Sequence, residues 1–328
     1  MRVGKRIKFL AGAVLLTAGM TALLPGSGTS VSAAGGEKVT LRIANWEEYI
    51  DEGGWSEEEA IELEDRNGTV IFGENSMIDD FEAWYRDTYG VEVEVEYSTF
   101  GSNEDLYNQL TLGNEFDLVC PSEYMFMKLI AEDSLQPLSD AFFDEETEEN
   151  YYIRGVSDYI RNIFDTNTIN NEPWSRYAAG YMWGTTGIVY NPEEISREEA
   201  SHWALLADPK YKGQVTIKDN VRDSYFAALG ILNEEELLKP EVMEAPDRLE
   251  RITERMNRTD EETVAAAEAI LKQMKENAYS FESDSGKADM VTGKVLANYQ
   301  WSGDAVYTLD QAEIDDYYLS YAVPEECT

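Results

Sequence analysis

The chain has little cysteine, little histidine and few basic residues, and each scarcity removes a class of function. Two cysteines in 328 residues, Cys120 and Cys327, are too few for a disulfide scaffold. Cys120 closes the apolar run Phe116-Asp-Leu-Val-Cys120 and reads as a buried thiol, and nothing in the spacing supports a bridge to Cys327. The single histidine, His202, stands beside Trp203 with no second histidine or paired cysteine nearby, which reads as a structural residue and predicts no metal site. Lysine and arginine total 26 against 65 aspartates and glutamates, a formal charge of −39. Such a chain does not neutralise nucleic-acid phosphates. Its field favours cations, but at physiological ionic strength screening over about 8 Å hides most of that charge from a distant ligand.

Also absent are G-x-S-x-G, a P-loop, G-x-G-x-x-G and any His–Cys pairing. These gaps leave paired carboxylates as the one catalytic pattern on offer. A sequence this acidic always contains such pairs, so a hydrolase of the glycosidase kind is a weak alternative. No apolar run reaches the roughly 20 residues of a spanning helix. The N-terminus instead has a basic stretch, MRVGKRIK, an apolar segment over 9–24, and small residues at Val31-Ser32-Ala33. Residues 1–34 therefore read as a cleaved secretory signal, with an uncleaved anchor as the alternative. No cysteine follows the apolar segment to accept a lipid, so the expected location is extracytoplasmic: periplasmic, cell-surface or secreted.

What is present is an alternation of strand and helix patterns. Residues 39–44 alternate as a strand and run into NWEEYI (45–50), two aromatics flanking two carboxylates. The acidic, glycine-punctuated stretch 51–73 reads as a surface insertion. Met77, Phe81, Trp84 and Tyr85 fall at helical spacing within 76–89, Gly90 stops that helix, and 91–97 alternates as a strand with a solvated glutamate face. A helix over 103–112, a buried strand over 117–120 and a helix over 124–132 follow. Beyond an acidic, aromatic stretch over 140–174, strands are predicted at 181–190, 214–218, 294–301 and 317–323. Helices are predicted at 223–232 and 261–277, the latter with Val264, Ala267, Ile270, Leu271 and Met274 on one face. This order implies doubly wound α/β architecture, and the length suits two units with separate cores. In such sheets ligands sit outside the carboxyl ends of the strands, where NWEEYI and Pro121-Ser-Glu-Tyr124 both fall.

Six segments in order, NWEEYI, FDLVCPSEY, YMWGTTGIVYNP, HWALLADPKYKGQV, VRDSYFAAL and QWSGDA, together resemble the extracellular solute-binding proteins for spermidine and putrescine, over residues 41 to 306. The resemblance implies a two-lobed, type II Venus-flytrap α/β fold. Lobe 1 would comprise 35–179 plus 303–328, and lobe 2 would comprise 180–302. It implies a monomer without cofactor or metal that closes on a linear polyamine, putrescine or spermidine, and presents it to the permease of an ABC importer. Carried over by position, Trp46 and Tyr49 resemble the aromatic wall of the first lobe, with Ser122 and Tyr124 its second strand-end contact. Asp223 resembles a second-lobe carboxylate for a terminal amine, with Asn220 beside it, and Trp301 and Asp304 resemble an aromatic and an acid near the crossing between lobes. Asn220 stands where an acid is expected, and Glu47 where a small polar residue is expected. The family pattern continues past Thr328 with a further aromatic and acidic pair, so the resemblance also implies a C-terminally truncated chain whose site is incomplete.

These residue types suit such a ligand. A polyamine is an apolar rod with ammonium groups along it, and an aromatic face covers methylenes while attracting the adjacent charge, at about 2 kcal/mol when desolvated. Carboxylates would hold the ends through charge-assisted hydrogen bonds of roughly 1.5 to 3 kcal/mol each. The structural alternative is that Trp46 and Trp301 are core residues and that Asp223 and Asp304 cap helices. Other ligands remain open on the residues: a sugar or an amino-acid derivative suits aromatics and acids, whereas ferric iron would want tyrosine pairs and histidine. Sensing without transport is a further reading. Charge discriminates among these, because Asp304→Asn should harm binding of a polyamine far more than that of a neutral sugar.

Overall fold

The computed structural model describes residues 38–47, 49–54, 61–62, 70–71, 73–147, 150–283, 286–314 and 316–327. The segment 1–34, expected from its sequence to be a secretory signal, and most of the 51–73 insertion lie outside them. The chain divides into two compact units, Met1–Trp183 and Gly184–Thr328.

In the first unit β1 (Lys38–Trp46) is the centre of a three-stranded sheet. The insertion contributes a short antiparallel pair, β2 (Ile61–Glu62) and β3 (Val70–Ile71). The helix α1 (Met77–Tyr89) begins where Ser76 accepts the Asp79 N–H and ends at Gly90, whose φ of 69° is the left-handed conformation that glycine tolerates. β4 (Glu92–Phe100) and β5 (Leu118–Val119) flank β1 on either side, both parallel to it. The glutamates of β4 face solvent as the alternation predicts, and two of them meet Lys38 and Arg42 in exposed ion pairs of small worth. Between the strands run α2 (Asn103–Thr111) and, after β5, α3 (Glu123–Ala131). Phe100, Ala44 and Leu106 form a buried centre over which Trp46, Leu110, Phe116 and Val119 pack. The stretch 140–174 folds into α4 (Tyr151–Gly155), α5 (Asp158–Thr166) and a hairpin of β6 (Thr168–Ile169) and β7 (Glu172–Pro173). Its two turn residues, Asn170 and Asn171, both take positive φ, the geometry a two-residue hairpin demands.

The second unit opens with β8 (Thr186–Tyr190) and α6 (Arg197–Ala200). β9 (Val215–Lys218) is followed by α7 (Val221–Leu237), α8 (Pro240–Met243), α9 (Arg248–Met256) and α10 (Glu261–Asn277). Then come β10 (Ser280–Glu282), α11 (Gly286–Val291), β11 (Ala297–Trp301), α12 (Ser302–Ile314) and β12 (Ser320–Ala322). The strands lie in the order β10-β9-β11-β8-β12, with β8 antiparallel to both its neighbours. On α10, Ala267 and Met274 are fully buried as their spacing predicts, while Val264 stays 43% exposed.

The division differs from the expected lobes in two respects. Residues 303–328 do not return to the first unit. α12 continues directly from β11, and β12 closes the outer edge of β8, pairing Ser320 with Tyr190 and Ala322 with Ile188. An open strand edge there would leave a row of backbone donors and acceptors without partners, and β12 supplies them. The boundary between units also falls after Trp183 rather than after residue 179. Both cysteines are free thiols, and burial pushes each up to about 11. Among the described residues no helix is long and apolar enough to cross a membrane.

The core of the second unit turns on Trp203, which has no exposed surface. Its ring lies edge-on to Tyr299, with centroids 4.7 Å apart and planes at 70°. Gly230 of α7 lies against the indole so closely that a Cβ at that position would overlap it. In an exposed helix, exchanging glycine for alanine gains about 1 kcal/mol of helix propensity. Here overpacking of about 1–3 kcal/mol should outweigh that gain. Gly230→Ala is therefore expected to lower the urea midpoint of unfolding. A raised midpoint would mean that α7 can move away from the indole.

Candidate functional site

The carboxyl ends of the parallel strands carry most of the residues singled out in the sequence. In the first unit β1 ends at Asn45-Trp46. Asn45 is buried, and its Oδ1 accepts the Trp46 N–H at 2.8 Å, which fixes the chain as it leaves the sheet. The Trp46 ring is half-buried, 4.7 Å from Phe100 and 6.4 Å from Tyr49, so it serves the core and also presents a face at the strand end. Glu47 is exposed. Tyr49 is half-buried, and its carbonyl accepts the Tyr181 hydroxyl.

Ser122 and Tyr124, which follow β5, are brought together by Asn103, which is not among the residues singled out in the sequence. Asn103, the first residue of α2, has no exposed surface. Its Nδ2 donates to Ser122 Oγ at 3.1 Å and to Tyr124 Oη at 2.9 Å, while its Oδ1 accepts the Ser122 N–H at 2.9 Å. Tyr124 Oη in turn donates to Glu104 Oε1 at 3.2 Å. One buried amide thus ties two strand-end connections together. The same strand-end rule would have found it, because Gly101–Glu104 follows β4. Burial, as the main cause in each, holds the phenols of Tyr97 and Tyr181 above their ordinary range and raises the Cys120 thiol. These groups are neutral at physiological pH and supply faces and hydroxyls rather than charge.

In the second unit Asn220 caps α7, its Oδ1 accepting the N–H groups of Arg222 at 2.9 Å and Asp223 at 3.1 Å. An aspartate, the acid that the resemblance implies here, would make the same cap, so asparagine leaves the helix start intact. Asp223 is half-buried in the first turn of α7, and its carbonyl accepts the Tyr299 hydroxyl at 3.3 Å. Trp301 ends β11 with 37% of its surface exposed. Next to it Ser302 accepts from the Thr185 N–H through Oγ at 3.2 Å and donates its own N–H to the Thr185 carbonyl at 2.7 Å.

Asp304, in the first turn of α12, is not an isolated acid. Lys287 Nζ lies 3.5 Å from its Oδ1 and Lys218 Nζ lies 3.9 Å from its Oδ2. Lys218 is buried at the end of β9, donates to the Ser283 carbonyl at 2.7 Å, and sits 4.0 Å from Glu282 Oε1. Glu282 is held by the Gly286 N–H and by Asn298 Nδ2, both at 2.9 Å. Neither lysine was legible as a site residue. Together they offset the charge of Asp304.

A sequence profile described as bacterial extracellular solute-binding protein matches residues 76–325. The chain belongs to this family. As a member of a solute-binding family it falls in a class of binding proteins rather than enzymes. It is 25% identical over 293 residues to the spermidine/putrescine-binding periplasmic protein of Escherichia coli, covering 89% of this chain and 65% of that one. The protein of the same description from Salmonella typhimurium is 26% identical with the same coverage. The chain thus spans 65% of the length of these curated relatives. Among solved structures, a putative spermidine/putrescine ABC transporter protein from Listeria monocytogenes aligns with a TM-score of 0.59 at 24% identity, covering 88% of this chain and 69% of that one. The spermidine/putrescine substrate-binding protein PotD of Streptococcus pneumoniae aligns at 0.53 with the same identity and coverage. The α/β fold of this solute-binding protein is therefore that of the PotD-type proteins, as the resemblance implies.

Replacing Asn103 tests whether the first unit's strand ends depend on its amide. Asn103→Leu removes a buried amide that pairs with the half-buried Ser122 N–H and hydroxyl and should cost about 1–3 kcal/mol in denaturant unfolding. Tyr124→Phe, which leaves Asn103 its Ser122 partner, should cost less. Equal costs would show that the amide is not the organising group.

Proposed function

We propose that this solute-binding protein takes up a linear polyamine, putrescine or spermidine, outside the cytoplasm and delivers it to the membrane permease of an ABC importer. The observation that carries the reading is the placement of exposed or half-exposed aromatics at strand ends in both units, Trp46 with Tyr49 and Trp301, together with Asp223 on the first turn of α7. Aromatic faces suit the methylenes and ammonium groups of such a ligand at once. Curated relatives described as spermidine/putrescine-binding support the choice of solute. The protein acts as a monomer without catalysis, and residues 1–34 serve as its secretory signal. Ser122 and Tyr124 contribute hydroxyl contacts, and Asn220 an amide where a second acid would stand. Glu47, exposed at the turn after β1, supplies negative charge at the rim of the site.

Within this reading the two acids of the second unit are unequal. Asp223 anchors an amine; Asp304, already flanked by Lys218 and Lys287, contributes less, since two ammonium groups within 4.0 Å oppose a third. The lysine pair also favours one alternative, an amino-acid derivative whose acidic end would face those lysines.

Isothermal titration of the protein with putrescine, spermidine, glucose and a carboxylated amine such as ornithine tests both readings. Polyamine heats that weaken with salt, without a glucose response, are expected. Asp223→Asn should weaken polyamine binding by roughly 10- to 100-fold, the size of a charge-assisted hydrogen bond, and Asp304→Asn by clearly less. Tighter binding of ornithine than of putrescine would establish the alternative. Silence toward all four, from a folded protein, would leave the solute class open and the polyamine proposal refuted.

A further inference from the structure

We infer that His202, Glu234 and Glu326 form a site for one divalent transition-metal ion of the Zn2+ kind in the second unit, apart from the solute site. The three residues come from distant parts of the sequence. His202 precedes the buried turn Trp203–Ala207, Glu234 lies on α7, and Glu326 sits in the short turn Glu325–Cys327 after β12. The fold brings His202 Nδ1 to 3.3 Å from Glu326 Oε1 and 3.8 Å from Glu234 Oε1, and one ligating atom from each residue lies within 4.8 Å of the others.

A second observation points to a cation. Glu326 has no exposed surface, and its Oε2 is buried with no hydrogen-bond partner. A carboxylate taken out of water needs its lone pairs satisfied, and a half-satisfied one is costly to hold. Here a second carboxylate, Glu234, faces the same imidazole, which adds like-charge repulsion. A divalent ion held by the Glu326 carboxylate, by Glu234 and by an imidazole nitrogen as third ligand would neutralise both acids at once. One nitrogen and two carboxylate oxygens, with a further position left for water, is a donor set for zinc-like ions. Magnesium and calcium prefer oxygen ligands throughout, whereas the imidazole nitrogen of His202 suits a zinc-like ion.

The site is also held in place before any ion arrives. The Glu325 N–H donates to the Ser201 carbonyl at 2.9 Å, Arg248 Nη2 donates to the Glu325 carbonyl at 2.9 Å, and Trp203 Nε1 donates to Cys327 Sγ at 3.4 Å. The side chains of His202 and Glu234 keep 24% and 33% of their surface in solvent, which gives an ion a way in. In the sequence His202 has no partner near it and reads as structural; the fold supplies its partners from α7 and the turn after β12.

The test is a calorimetric titration of chelator-treated protein with ZnCl2, in buffer containing a large excess of MgCl2 to occupy surface carboxylates. One ion per chain is expected, with micromolar or tighter affinity, and a higher melting temperature with zinc present. His202→Gln, a change at a partly exposed residue, should weaken the site at least tenfold and abolish the thermal shift, and Glu326→Gln should weaken it in step if that variant folds. Polyamine titrations of wild type and His202→Gln should agree, so the outcome is independent of the solute assignment. No stoichiometric zinc binding, or equal binding by wild type and His202→Gln, would overturn the inference and return the cluster to a hydrogen-bonded His–Glu pair.

Discussion

The packing of Trp203 between β11 and α7 sets the geometry of the second unit. With no exposure of the indole, Tyr299 edge-on at 4.7 Å, and Gly230 offering no side chain to hold the helix away, the separation of strand and helix is fixed by direct contact. Close-packed interiors transmit such constraints rather than absorb them. Tyr299 then reaches from the same strand to the Asp223 carbonyl, and two residues further on β11 ends in Trp301. The acid at the start of α7 and the aromatic at the end of β11 are therefore positioned by one core contact beneath them.

The first unit uses a polar device for the same task. Asn103 is buried at the start of α2 and satisfies the Ser122 backbone, the Ser122 hydroxyl and the Tyr124 hydroxyl with a single amide. Fully satisfied buried networks of this kind rigidify what they join. The neutral phenols and the thiol around β1 then leave that strand end aromatic and weakly polar. In the second unit Asp223 and the lysine-flanked Asp304 carry charge at the corresponding helix starts.

The charge at the end of β9 shows why an acidic composition says little about a site. The chain carries a formal charge of −39, yet buried Lys218 joins Glu282 and Asp304, with Lys287 beside Asp304, in a cluster where two cations meet two acids. A buried ion must be paired locally whatever the net charge of the surface. Local pairing, and not the global excess, therefore sets the charge at this strand end.

Much of the local structure was legible from pattern alone. The aromatic spacing of α1 with its Ser76 and Gly90 ends, the strict alternation of β4 and the apolar face of α10 all follow from the two periods of the backbone, and the rule of strand ends pointed to Trp46, Ser122 and Trp301. The PotD-like fold was reached through six short segments, not from composition. Where several weak local preferences compete, as over 140–174, the helices and the Asn170-Asn171 hairpin carried no strong period and were not read. Tertiary structure alone decided which sheet received residues 303–327, because β12 pairs with whichever edge lies open. It also decided that Asn103 clamps Ser122 and Tyr124, that Lys218 and Lys287 flank Asp304, and that His202 meets Glu234 and Glu326. Each of these joins residues far apart in the chain, and a lone asparagine, lysine or histidine has no spacing by which the sequence could announce its partner.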